Sequence, residues 1–109
     1  MAQYAGWIEY DKQTNAEAEA SRSAVEGKAH VIYTITATLG TALTDASKLV
    51  ALKDGTTTIW EGTVTTGQET STFEFTKGIS ITPGAAVSAT LEAGGSGIIG
   101  TVSIHGETI

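Results

Sequence analysis

The sequence has 109 residues and a mass of 11.2 kDa, which predicts a single domain with one modest hydrophobic core. It has no cysteine, which excludes a disulfide scaffold, a thiolate zinc site and a cysteine nucleophile. The net charge of -6 at pH 7 disfavours a nucleic-acid partner bound through its phosphates. No stretch has the length of a transmembrane helix or the order of a signal peptide, so we expect no membrane partner.

The first part of the chain, residues 1–29, is rich in Ala, Glu, Gln and Ser and differs from the rest in composition. Asn15 is a suitable N-cap for a short helix over residues 16–25, and Gly27 would end it. Alternating Ala and Glu give this helix little apolar face, so it would be marginal alone. We therefore predict an N-terminal arm over residues 1–29 that is extended or partly helical.

An aromatic cluster stands at the start of this predicted arm. Tryptophan and tyrosine are common anchors at protein interfaces. The cluster lies in no long periodic run, which favours docking on another subunit, with folding back onto its own domain as the alternative. The predicted partner-binding residues are Tyr4, Trp7, Ile8 and Tyr10.

The second part, residues 30–109, is rich in Thr, Gly and β-branched apolar residues, and 18 of the 19 threonines follow residue 30. This composition suits strands better than helices. Residues 30–38 alternate, which predicts a strand with Val31, Tyr33, Ile35 and Ala37 on its buried face.

Turn signals divide the remaining β region. Asp54-Gly55 separates two apolar runs and predicts a hairpin, and Pro83-Gly84 predicts a second turn. Further alternating runs cover residues 70–76, 86–92 and 98–104, and the glycine-rich residues 94–97 form a turn between the last two. Six or seven short strands at this spacing predict an all-β fold, an antiparallel β-sandwich or small jelly roll over residues 30–109.

Residue patterns for catalysis or metal binding are weak. The two histidines, His30 and His105, lack metal-ligand spacing, and Ser103 shares a strand face with His105 without a visible orienting acid. We expect no enzyme activity, no metal and no cofactor. The acidic residues weighed as carboxylate pairs or calcium ligands, and expected to be solvated, are Glu17, Glu19, Asp45, Asp54, Glu61, Glu69 and Glu74.

Three segments carry a resemblance to a known family. They are LVALKDGTTTIWEG at residues 49–62, FEFTKGISITPGAAV at 73–87 and GTVSIHG at 100–106. Their order of apolar alternation and turns, over about residues 48–106, resembles small β-sandwich virion proteins of tailed bacteriophages. That family includes head decoration (cement) proteins, bases of head fibres, and tail modules. Its functional surfaces are not short motifs, so the resemblance assigns no catalytic residue.

The resemblance implies a structural virion protein that binds the outer capsid surface and stabilises the shell. It implies the major capsid protein as partner, and self-association as a homotrimer. A fibre base or tail module is an alternative. Another is a carbohydrate-binding, adhesin-like module that stacks sugar on an exposed Trp60 or Trp7.

Overall fold

The computed structural model describes residues 6–40, 47–64, 70–95 and 97–109, which form eight strands in two four-stranded antiparallel sheets. In chain order the strands are β1 (Gly6–Thr14), β2 (Ala18–Arg22), β3 (His30–Leu39), β4 (Lys48–Asp54), β5 (Thr57–Val64), β6 (Thr70–Ser80), β7 (Val87–Leu91) and β8 (Ile99–Thr108). No helix long and apolar enough to cross a membrane occurs among the described residues.

The strand order is β1-β8-β3-β6 in the first sheet and β2-β7-β4-β5 in the second. Successive strands thus alternate between the sheets, except for the hairpin of β4 and β5. Eight antiparallel strands connected in this way form a jelly roll. The predicted β-sandwich or jelly-roll class is confirmed, and residues 30–109 supply six of the eight strands.

The predicted arm over residues 1–29 is wrong for the residues described there. Residues 6–14 form β1, which pairs with β8 from Gly6↔Glu107 to Thr14↔Ile99. The predicted helix over residues 16–25 is replaced by β2, which pairs with β7. The small side chains of Ala18 and Ala20 are fully buried, so the Ala-Glu alternation is a strand period with its small face in the core.

The core lies between the two sheets, and most of its residues occupy inward-facing positions of the central strands β3, β4, β7 and β8. Its members come from both sheets, and they interdigitate as inner faces of a sandwich do. The largest fully buried apolar side chains are Ile32, Ile35, Leu39, Val50, Leu52, Val64, Ile81, Val87, Leu91, Val102 and Ile104.

A bulge in β3 changes which side chains face that core. The register shifts between Ile32 and Thr34 in both of the pairings of β3. Ile32 therefore shares the core with Ile35 and Ala37, whereas Tyr33 leaves it. Val31, Ile35 and Ala37 of the predicted buried face are buried, whereas Tyr33 is not. The extra residue of the bulge turns Tyr33 outward.

An aromatic cluster joins the two sheets on one side of the sandwich, and an ion pair joins them on the other. Beside β5 and β6, the ring of Trp60 meets Phe73 and Phe75 edge-on, with centroids 4.9 and 5.3 Å apart. Beside β1 and β2, the Arg22 guanidinium pairs with Glu9 at 2.7 Å. The first sheet is thereby joined to the second along both long edges.

Candidate functional site

The exposed face of the first sheet carries the two predicted partner-binding residues that are both described and exposed. Trp7 faces inward, so its neighbours Ile8 and Tyr10 face outward, as the pleat requires. They are 67% and 72% exposed, more than any other large hydrophobic side chain within a described strand. The predicted residue Tyr4 lies outside the described residues.

Trp7 is a core residue and not an exposed anchor. It is 9% exposed, and its Nε1–H donates a hydrogen bond to Thr108 Oγ1 at 2.9 Å. Its ring meets His30 edge-on at 5.6 Å, and the Arg22 guanidinium lies 5.1 Å from the ring centroid. The alternative in which the aromatic cluster folds back onto its own domain therefore holds for Trp7.

A buried hydrogen-bond relay fixes the end of β8 behind Trp7. His30, which is 1% exposed, places Nε2 at 2.8 Å from the carbonyl oxygen of Ser23 and Nδ1 at 2.8 Å from Thr108 Oγ1. A carbonyl only accepts, so Nε2 carries the proton. In the neutral ring, Nδ1 then accepts from the hydroxyl of Thr108, which itself accepts from Trp7. The relay explains why this histidine is buried, and it has a structural role.

Outward residues of the first sheet form a regular grid, which we call the hydroxyl face. Strand pairing aligns them in three rows across β1, β8, β3 and β6. The rows are Lys12, Thr101, Thr38 and Thr70; then Tyr10, Ser103, Thr36 and Thr72; then Ile8, His105, Thr34 and Glu74. Seven of these twelve side chains bear a hydroxyl on an aliphatic carbon, and formal charges stand only at two corners.

A shallow recess lies beside the Ile8 end of this face. It has a volume of about 430 Å³ and is lined by Gly6, Trp7, Ile8 and His105. Next to it, the hydroxyl of Tyr33 donates to Glu107 Oε1 at 2.7 Å. This hydrogen bond to a carboxylate raises the pKa of Tyr33 above its ordinary value of 10.0, and desolvation and the negative charge of Glu107 act in the same direction.

Residues weighed as metal ligands are not clustered in the described part of the chain. No three His, Asp or Glu side chains come together there as metal ligands. The Asp54 carboxylate instead accepts from the backbone N–H and the hydroxyl of Thr82, at 3.0 and 2.7 Å. Asp45 and Glu69 lie outside the described residues. The hydroxyl face was not predicted, because its rows depend on the order of the strands in the sheet.

Comparison with known proteins places the fold. A chain of the acid-stable capsid structure of Helicobacter pylori bacteriophage KHP30 matches with a TM-score of 0.60 and 14% identity, covering 95% of this chain and 90% of that one. The insecticidal δ-endotoxin Cry8Ea1 of Bacillus thuringiensis matches with a TM-score of 0.50 and 8% identity over 87% of this chain and 19% of its own length. At these identities the likeness concerns the fold alone.

No protein-family model matches the chain, and no curated protein matches its sequence. The class that the structure defines is therefore the eight-stranded jelly roll.

Proposed function

We propose that this chain is a structural protein of a phage particle that binds the outer surface of the capsid and stabilises the shell. The observation that carries the proposal is the whole-chain likeness to the phage capsid chain. The two chains correspond over nearly the full length of each. The resemblance of residues 48–106 to small virion proteins supports the same role.

The partners in this proposal are the major capsid protein and further copies of the chain. The exposed Ile8 and Tyr10 on β1 are proposed to contact a neighbouring subunit, because large apolar side chains in the open favour burial at an interface. The trimer implied by the resemblance is one form that self-association can take. The proposed role is binding, without catalysis or cofactor.

Mass spectrometry of purified particles, after heads are separated from tails, tests the proposal. We expect many copies in the head fraction, at a fixed ratio to the major capsid protein. Enrichment with tails would move the chain to a tail or fibre role. Absence from both fractions would overturn the virion role.

A second measurement separates decoration from shell building. Mild denaturant should release this chain from heads while electron microscopy still shows closed shells, because a decoration protein lies outside the lattice. Shells that open in step with its release would indicate that the chain is itself a lattice subunit.

A further inference from the structure

The hydroxyl face holds its formal charges at two diagonally opposite corners. Lys12 ends the β1 side of one outer row, and Glu74 ends the β6 side of the other. The remaining two corners, Ile8 and Thr70, are uncharged. Between the corners the face presents hydroxyls and the ring of Tyr10, with His105 in the Ile8 row.

The distances between these corners are nearly equal along and across the strands. Three strand spacings of about 4.8 Å separate β1 from β6 by roughly 14 Å. Four residues at about 3.4 Å separate Ile8 from Lys12 by roughly 14 Å as well. The grid is close to square, so a two-fold axis along one diagonal superposes it on itself.

We propose that the hydroxyl face is an interface between two copies of this chain, packed face to face with crossed strands about the Ile8–Thr70 diagonal. This operation places Lys12 over Glu74 of the partner subunit, and the symmetry forms the pair twice. Tyr10 falls between His105 and Thr34 of the partner subunit, where an aromatic ring can be covered. Sheets that cross near a right angle are an established mode of packing.

The charges on this face are complementary to those on a second copy of the same face, which favours a second copy as the occupant. Each chain has a net charge of -6, so two copies repel unless their contact surfaces compensate charge locally. The face supplies one cation and one anion, and the diagonal operation brings opposite charges together at both of these corners. Glu107 lies two residues beyond His105 on β8, outside the part of the face that the second copy covers.

The overlap of two crossed faces is small and fits a weak dimer. Four strands span about 19 Å, so two copies with perpendicular strands overlap over a square of about 19 Å, or roughly 360 Å² of projected area per copy. A standard interface buries about 800 Å² per partner, so we expect a weak dimer. This inference specifies the subunit contact of Ile8 and Tyr10, and it rests on the geometry of the face and not on the virion role.

Sedimentation of the purified chain over about 10 µM to about 1 mM tests the interface. We expect a species of twice the 11.2 kDa chain mass. Lys12→Glu and Glu74→Lys should each weaken dimerisation about tenfold or more, because two attractive pairs become repulsive. The double variant Lys12→Glu/Glu74→Lys should restore it to within about threefold, since both pairs are reversed.

Glu61→Lys is the matched control, because Glu61 is exposed on β5 of the other sheet and its substitution changes the net charge as Glu74→Lys does. It should leave the dimer unchanged, and far-ultraviolet circular dichroism should show all variants folded. A monomer throughout the range, a trimer, or a double variant without rescue would each overturn the proposed interface. None of these results bears on whether the chain is found in phage heads, so the two proposals fail separately.

Discussion

Replacing Trp7 by Ala should greatly lower the free energy of unfolding of this domain, and the effect should not depend on any partner. A tryptophan buries about 150–250 Å² on folding, and at about 25 cal/mol per Å² this corresponds to roughly 4–6 kcal/mol as an upper value. Trp7 is 9% exposed, donates to Thr108 and packs on His30, so most of this burial applies. We expect a loss of about 3–5 kcal/mol, as for other buried aromatic truncations.

That loss is large beside the total stability of a domain, about 5–15 kcal/mol, and should lower Tm by roughly 15–30 °C. Urea unfolding followed by far-ultraviolet circular dichroism measures it without using the fluorescence of the deleted tryptophan. Tyr10→Ala is the matched control, because it removes an aromatic ring from the same strand at a side chain that is 72% exposed. The control should change stability by less than about 0.5 kcal/mol. A Trp7→Ala loss below about 1 kcal/mol would refute the packing of β1 into the sandwich.

Three further perturbations test other parts of the structure. Thr108→Val removes the hydroxyl between Trp7 Nε1 and His30 Nδ1, and we expect it to lower the free energy of unfolding in urea by about 1–3 kcal/mol. Thr108→Ser keeps the hydroxyl and is the control. An equal loss in both variants would contradict the hydrogen-bond relay. Gly106→Ala should lower the free energy of unfolding by about 1–3 kcal/mol in the same assay, because the added Cβ would lie 2.5 Å from the carbonyl oxygen of Val31. A variant as stable as the wild type would show that β8 and β3 are not so close. Because the folded pKa of Tyr33 is raised, the unfolded chain loses that proton first, so stability should fall as pH rises above about 10. Glu107→Gln should reduce this fall and lower the pKa of Tyr33 in an absorbance titration, and an unchanged pKa would exclude the hydrogen bond as its cause.

Features with a local sequence signal were predicted correctly, whereas a strand with an inward-facing charged residue was not. The Asp54-Gly55 hairpin was predicted because turn residues act on their own neighbours, and Gly55 has the positive φ of 62° that glycine permits. In β1, by contrast, Glu9 points inward, so the strand shows no buried apolar alternation beyond Trp7. Its carboxylate is neutralised by Arg22, which lies thirteen residues later in β2. Hydropathy along the sequence does not show that Glu9 will be paired with a cation from another strand, so it does not predict that Glu9 faces inward.

The contact residues of the candidate site could be predicted from the sequence, whereas the rows of the hydroxyl face could not. Ile8 and Tyr10 were predicted as contact residues from their type, and the structure places both in the open on one face. The rows of the hydroxyl face were not predicted, because Thr36 reaches Ser103 and Thr72 only through the order β8-β3-β6. No property of the separate segments specifies that order.

The amino-acid sequence by itself determined the all-β class, the positions of the six strands after residue 29 and the turns at Asp54-Gly55 and Pro83-Gly84. Period-two alternation, β-branched residues and turn glycines act over a few neighbouring positions, so they can be identified without a fold. Only the tertiary structure decided that residues 6–22 belong to the sandwich, that the β3 bulge turns Tyr33 outward, and that Trp7 bonds Thr108, 101 residues away. Those features depend on the free energy of contacts between distant segments, which exists only once the two sheets have formed and packed.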